Sequence, residues 1–280
     1  MHNAIGSIFH PSDFSQASEL AFAHALKIAL VARSQLNILH VAGDEDVRWT
    51  DFPGVRETLE RWGLIPPGSP KSAVAELGID VRKVKLASGR PVQASLGYLE
   101  KHPADLIVLA VHQYQGRMRW MADRVGTPIA RAAGEGTLFI PHGVRGFVSP
   151  KDGSVSLKNI LIPIAAKPSP QPAVEAAARL IASLGLAGGT VTLLHVGDAA
   201  GAPLAKIPVG AGWSWNRVDR AGDPEEVILE MAHSLDAGLI MMTTDGPDGF
   251  LDGLRGTTSE RVLRRSPCPV MNLPVGAVLG

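Results

Sequence analysis

At 280 residues, 45% apolar and 19% charged, the chain has a globular composition and enough length for one large domain or two ordinary ones. Its 27 acidic and 27 basic side chains cancel, so no net field recruits nucleic acid or anionic lipid. A single cysteine, Cys268, excludes an intramolecular disulfide framework and suits a reducing cytoplasm; the amino terminus shows no signal-peptide pattern, and no apolar run nears the roughly 18–20 residues that span a bilayer.

Short apolar β runs alternate with helical patterns, which predicts parallel βαβ units. Ile5 to His10 reads as a buried strand. Ser15 to Ala32 follows as a helix, with Leu20, Ala23, Leu26, Ile28 and Leu30 among its apolar residues. Leu36 to Val41 is a second strand. A helix from Val55 to Leu64 comes next, then the Pro66-Pro67-Gly68-Ser69-Pro70 break and a short helix to Leu77. Val81 to Leu86 is the third strand, Val92 to Lys101 a helix, and Leu106 to Val111 the fourth strand. A helix around Thr127 to Ala133 leads to a last strand at Thr137 to Ile140. Gly143, Gly146, Pro150 and Gly153 are breakers that mark Pro141 to Leu157 as a link. Beyond it, Ser169 is expected to cap a helix through Val174 to Leu184, with Pro170 and Pro172 in its first turn.

The pattern then repeats. Ser7-Ile8-Phe9-His10-Pro11 returns as Asn159-Ile160-Leu161-Ile162-Pro163, and Asn37 to Val41 returns at Leu193 to Val196. Gly89-Arg90-Pro91 returns as Gly222-Asp223-Pro224, and Leu106-Ile107-Val108-Leu109 as Leu239-Ile240-Met241-Met242, both at an offset of 133 residues. Four landmarks in one order indicate duplication. The boundaries expected are a first domain over 1–142, a linker over 143–157, and a second domain over 158–280. The second copy is shorter between its second strand and the Gly-Asp-Pro landmark, where a crossover helix is expected to be missing.

One stretch of the second copy carries a recognisable motif: Thr243-Thr244-Asp245-Gly246, nine residues, Gly256-Thr257, then Ser259-Glu260-Arg261-Val262-Leu263-Arg264 and Pro267-Cys268-Pro269-Val270. With the Ile-Leu-Ile-Pro and Leu-Leu-His-Val strands, this resembles the universal stress protein family over essentially the whole chain, as a tandem two-domain member. The resemblance implies two Rossmann-like domains of the adenine nucleotide alpha hydrolase type. Each would have a five-stranded parallel sheet of order 3-2-1-4-5, and the halves would pair through their last strands as an intramolecular pseudo-dimer. It also implies adenine-nucleotide binding, ATP with Mg²⁺, at the carboxyl ends of the strands where strand order reverses. There Gly246 lets the backbone approach phosphate, while Gly256 and Thr257 open a helix whose free N–H groups face an anion. The first glycine position of the motif is Thr243. The nucleoside contacts fall on Asp13 and Val41 in the first half, and on Ala165 and Val196 in the second.

Neither half keeps the whole pattern. The second has Thr243 for a glycine and Ala165 for the aspartate, and its loop adds Asp245, Asp248 and Asp252, which repel phosphate unless Mg²⁺ or Arg255 compensates. The first keeps Asp13 but reads Ala110, Gln113, Asp123 and Arg124 at the motif positions. Asp13 also reads simply as part of a helix cap with Ser12 and Ser15, and Gly256-Thr257 as a turn into a helix. No catalytic residue and no metal site is expected. His40 and His195 read as structural, Cys268 as a packed thiol, and the Arg117–Trp120 cluster as surface. The expectation is a non-enzymatic cytoplasmic stress-response protein, with an unidentified regulatory protein partner, a homodimer as a further option, and no nucleic-acid or membrane partner. The alternatives are a ligand-free interaction module and an ATP-hydrolysing or adenylating enzyme of the same superfamily.

Overall fold

The computed structural model describes residues 5–41, 52–86, 90–111, 128–130, 134–198, 201–208, 212–245 and 257–276. The first half runs β1 (Ser7–Pro11), α1 (Gln16–Ala32), β2 (Gln35–Val41), α2 (Val55–Arg61), α3 (Ser72–Glu76), β3 (Asp80–Leu86), α4 (Pro91–Leu99), β4 (Leu106–Val111), a helical turn at 128–130, and β5 (Gly136–Pro141). The second half runs β6 (Asn159–Ile164), α5 (Gln171–Ser183), β7 (Gly189–Val196), β8 (Trp213–Arg220), α6 (Pro224–Ser234), β9 (Leu239–Thr244), α7 (Thr258–Arg265) and β10 (Val270–Pro274).

The ten strands of the described residues form one sheet, in the order β3-β2-β1-β4-β5-β10-β9-β6-β7-β8. Each half contributes the expected 3-2-1-4-5 order. The duplication is visible in the register: Ile8 pairs with Leu106 and Ile160 with Leu239, so the sequence landmarks occupy equivalent ladder positions. Within each half the strands are parallel. Between the described strands, the antiparallel pairing joins β5 to β10, with Met271 opposite Leu138. The two last strands, which would otherwise be sheet edges, therefore satisfy one another.

Central strands covered on both faces read as continuous apolar runs, and Leu106–Val111 and Gly136–Pro141 are such runs, almost wholly buried. One face of the sheet packs on α1 and α5, joining Ile8, Leu26, Leu138, Ile162, Val174 and Met241 in a core that crosses both halves. The opposite face packs on α4, α6 and α7 through Phe9, Leu99, Ile107, Ile228, Leu229 and Val262. The sheet edges are β3 and β8, whose alternating Arg82, Lys83 and Lys85, and Arg217, Asp219 and Arg220, oppose further strand addition.

Local chemistry sets the element ends. Ser15 Oγ accepts from Ser18 N at 3.2 Å to cap α1, and Arg33 closes that helix in the left-handed region. Pro170, rather than Ser169, occupies the N-cap position of α5; it takes a helical conformation there, and Ser169 Oγ accepts only a long bond of 3.4 Å from Gln171 N. Between β7 and β8 the described residues 201–208 contain no α-helix, in line with the shortened crossover. The breaker-rich segment between β5 and β6 is packed: Phe147, Val148 and Leu157 are buried, and Val148 and Val155 form an antiparallel bridge.

Candidate functional site

In an open parallel sheet, ligands settle beyond the carboxyl ends of the strands where strand order reverses. Here that point occurs twice, between β1 and β4 and between β6 and β9. Because β5 and β10 are antiparallel, the two crevices open toward opposite ends of the strands and cannot share one ligand.

In the first crevice, Asp13 and Val41 lie two residues beyond the paired positions Pro11 and Leu39, at the carboxyl ends of adjacent strands. Asp13 is exposed, and its Oδ1 accepts from Ser15 N at 3.0 Å, which ties the carboxylate to the start of α1. Phe14 stands in the left-handed region at φ 61°, an unusual conformation for a bulky residue. Its ring stacks on His40 with centroids 4.1 Å apart and meets Phe52 edge-on at 5.2 Å. His40 Nδ1 in turn donates to Ser12 O at 2.7 Å. Sequence reading missed this aromatic group; its only signal is that Phe14 replaces the small Ala166 of the other copy. Gln113, Asp123 and Arg124, like the Arg117–Trp120 cluster, fall outside the described residues.

His10 lies beneath this crevice, fully buried at the end of β1. Its Nδ1 donates to Val108 O at 2.8 Å, while Nε2 is buried without a hydrogen-bond partner among the described residues. Burial pushes its pKa down to about 4, against the opposing influence of the Val108 carbonyl and the Asp13 charge.

The second crevice is built on the same plan. His195 Nδ1 lies 3.3 Å from Ile164 O, the repeat equivalent of the His40–Ser12 bond. Its Nε2 lies 3.1 Å from Asp198 O. Both histidines thus brace a strand end against the following loop, which is a structural role. Ala165 is exposed directly after β6, and Val196 is half-buried at the end of β7. Thr243, near the end of β9, carries a buried Oγ1 with no partner among the described residues. Thr257 is the N-cap of α7: its Oγ1 accepts from Glu260 N at 3.3 Å and lies 2.9 Å from Ser259 Oγ. With Glu260 three residues on, this has the sequence of a capping box, and it leaves the first amides of an eight-residue helix at the crevice. Asp245 is exposed at the end of β9, whereas Gly246 and Gly256 lie outside the described residues. Cys268 is buried, and desolvation pushes its thiol up to about 12, which makes it a poor nucleophile. Among the described residues, no helix is long and apolar enough to cross a membrane.

A model of the universal stress protein family matches residues 6–135 and 209–274 of the chain. Three solved structures are similar over nearly its whole length. A universal stress protein from Archaeoglobus fulgidus is 16% identical at a TM-score of 0.59, covering 96% of each chain. A functionally unknown protein from Pseudomonas aeruginosa is 17% identical at 0.58, covering 97% of this chain and 93% of that one. A putative universal stress protein from Pseudomonas aeruginosa is 17% identical at 0.55, covering 97% and 94%. At such identities the structural likeness speaks for the fold. No curated protein matches the chain.

Proposed function

The chain belongs to the universal stress protein family, and from that premise we propose that it is a non-enzymatic stress-response regulator, acting in the cytoplasm, whose second half binds an adenine nucleotide. The ligand is ATP, accompanied by Mg²⁺, in the crevice between β6 and β9. Nucleotide binding shifts the population of arrangements that a regulatory protein partner recognises. The observation that carries the reading is the helix start at Thr257, preceded by Gly256 and, with nine residues between, by Gly246. Amides at a helix start attract phosphate through both hydrogen bonds and the helix dipole.

The neighbouring donors fit such a ligand. The Thr243 hydroxyl, without a partner among the described residues, has a hydrogen bond to give, and the Asp245 carboxylate offers hard oxygen of the kind Mg²⁺ prefers. Ala165 and Val196 border the nucleoside end. The first half is the weaker site: Asp13 is tied to Ser15, and Phe14, His40 and Phe52 gather at its strand ends. One observation favours a ligand-free interaction module instead, namely that the Thr257 hydroxyl already serves its own helix.

A thermal shift separates the two readings. At a hundredfold excess over Kd, ATP–Mg²⁺ stabilises a single-site binder by about 2.7 kcal/mol. The shift is expected in the wild type and absent in Gly256→Asp, whose carboxylate repels phosphate. A shift of equal size in that variant places the ligand elsewhere, and no shift in either protein favours the interaction module.

A further inference from the structure

The segment that joins the halves is held to α1 by one side chain that acts as acceptor. His24 projects from α1 and is fully buried. Its Nδ1 donates to Leu20 O at 2.8 Å, one turn back on the same helix. Its Nε2 accepts two backbone amides of the joining segment, Phe147 N at 3.0 Å and Val148 N at 3.2 Å. The ring meets Phe147 edge-on, with centroids 4.5 Å apart. Gly146 makes the approach feasible, since a Cβ there would stand 2.2 Å from His24 Cε1. Further along, Trp62 Nε1 and the Arg61 guanidinium donate to Pro150 O.

Three hydrogen bonds on one imidazole fix its proton. Nδ1 must carry it, so that Nε2 keeps the lone pair that both amides share. A second proton would set an N–H against two N–H groups and leave those amides buried without an acceptor, a cost of the kind proteins avoid. Burial disfavours the new charge, and the Leu20 carbonyl offsets this only in part. The charged groups on the elements around the ring are Glu19 and Lys27 on α1, Arg61 on α2, and Arg145 and Lys151 in the segment.

We propose that this contact is an acid-released latch: protonation of His24 frees the joining segment from α1 while the sheet remains folded. The β5–β10 ladder does not depend on it, so release alters the segment without separating the halves. What changes is the surface beside α1, where Phe147 leaves its edge-on place against the His24 ring, while the bonds of Trp62 and Arg61 to Pro150 O still hold the far end of the segment. Burial also pushes His24 down to about 4 from its ordinary 6.5. With these two values, opening becomes about 70-fold more favourable between pH 7.5 and 4.5.

Hydrogen exchange of the Phe147 and Val148 amides, corrected for the intrinsic pH dependence of exchange, tests the latch. In the wild type, protection should fall by that factor over this interval, with both amides exchanging ahead of those of β1 and β4 at every pH and far-ultraviolet circular dichroism unchanged. The His24 ring, followed by NMR in the same wild-type sample, should titrate in step with the loss. His24→Gln cannot titrate, so whether or not its amide oxygen holds the segment, its protection should lack the about 70-fold fall expected of the wild type. Protection that persists in the wild type until global unfolding overturns the proposal. So does a fall as large as the wild type's in His24→Gln, or a His24 titration out of step with the amides.

Discussion

Replacing His10 by Asn should change how stability depends on pH, by an amount that follows from burial. His10 is inaccessible in the folded chain and accessible when unfolded, and its pKa moves from 6.5 to about 4 on folding. A histidine depressed in this way adds stability that is complete above pH 6.5 and is lost as pH falls toward 4, because the unfolded chain takes up a proton that the folded one refuses. Between pH 7.5 and 5.0 the loss is about 2 kcal/mol. Asparagine retains an N–H able to reach Val108 O but does not titrate. Urea unfolding of both proteins at both pH values measures the effect, and carboxylate titrations cancel in the comparison. Whatever His10→Asn costs at pH 7.5, its deficit relative to wild type should shrink by about 2 kcal/mol at pH 5.0. A deficit that stays constant with pH would mean that His10 is protonated in the folded state, or reached by water, and would refute the reasoning.

Two further substitutions probe local structure. Gly153 stands at φ 68° with its missing Cβ 2.5 Å from Trp62 Cδ2, so Gly153→Ala should destabilise by roughly 1–3 kcal/mol and red-shift tryptophan emission as Trp62 is displaced. Thr257→Ala removes the α7 cap and should cost about 1 kcal/mol in urea unfolding, whereas Thr257→Ser should cost far less; equal losses would show that the hydroxyl does not cap.

Much of the fold is legible in the sequence because duplication supplies an internal control. The runs around Ile8 and Leu106, and around Ile160 and Leu239, mark the same two neighbouring strands twice, and their register agrees. Strand β8 is less legible. Its Trp-Ser-Trp-Asn-Arg-Val-Asp-Arg sequence suits a sheet edge, half polar, and lacks the apolar run of a central strand. The glycines between the halves read as chain breakers, yet Gly146 and Gly153 serve the close approach of His24 and Trp62. No local pattern can announce a partner so distant in the chain. At the candidate site, the strand reading foretells that Asp13, Val41, Ala165 and Val196 stand at or just beyond the carboxyl ends of their strands. The left-handed Phe14, and the Thr243 hydroxyl without a partner among the described residues, depend on packing that only the folded chain defines.

Equilibrium dialysis against labelled ATP with Mg²⁺ tests nucleotide binding in the second half most directly. One nucleotide per chain is predicted, retained by Asp13→Ala and lost in Gly256→Asp. Two nucleotides per chain, none at all, or binding that follows Asp13 instead of Gly256 would contradict it.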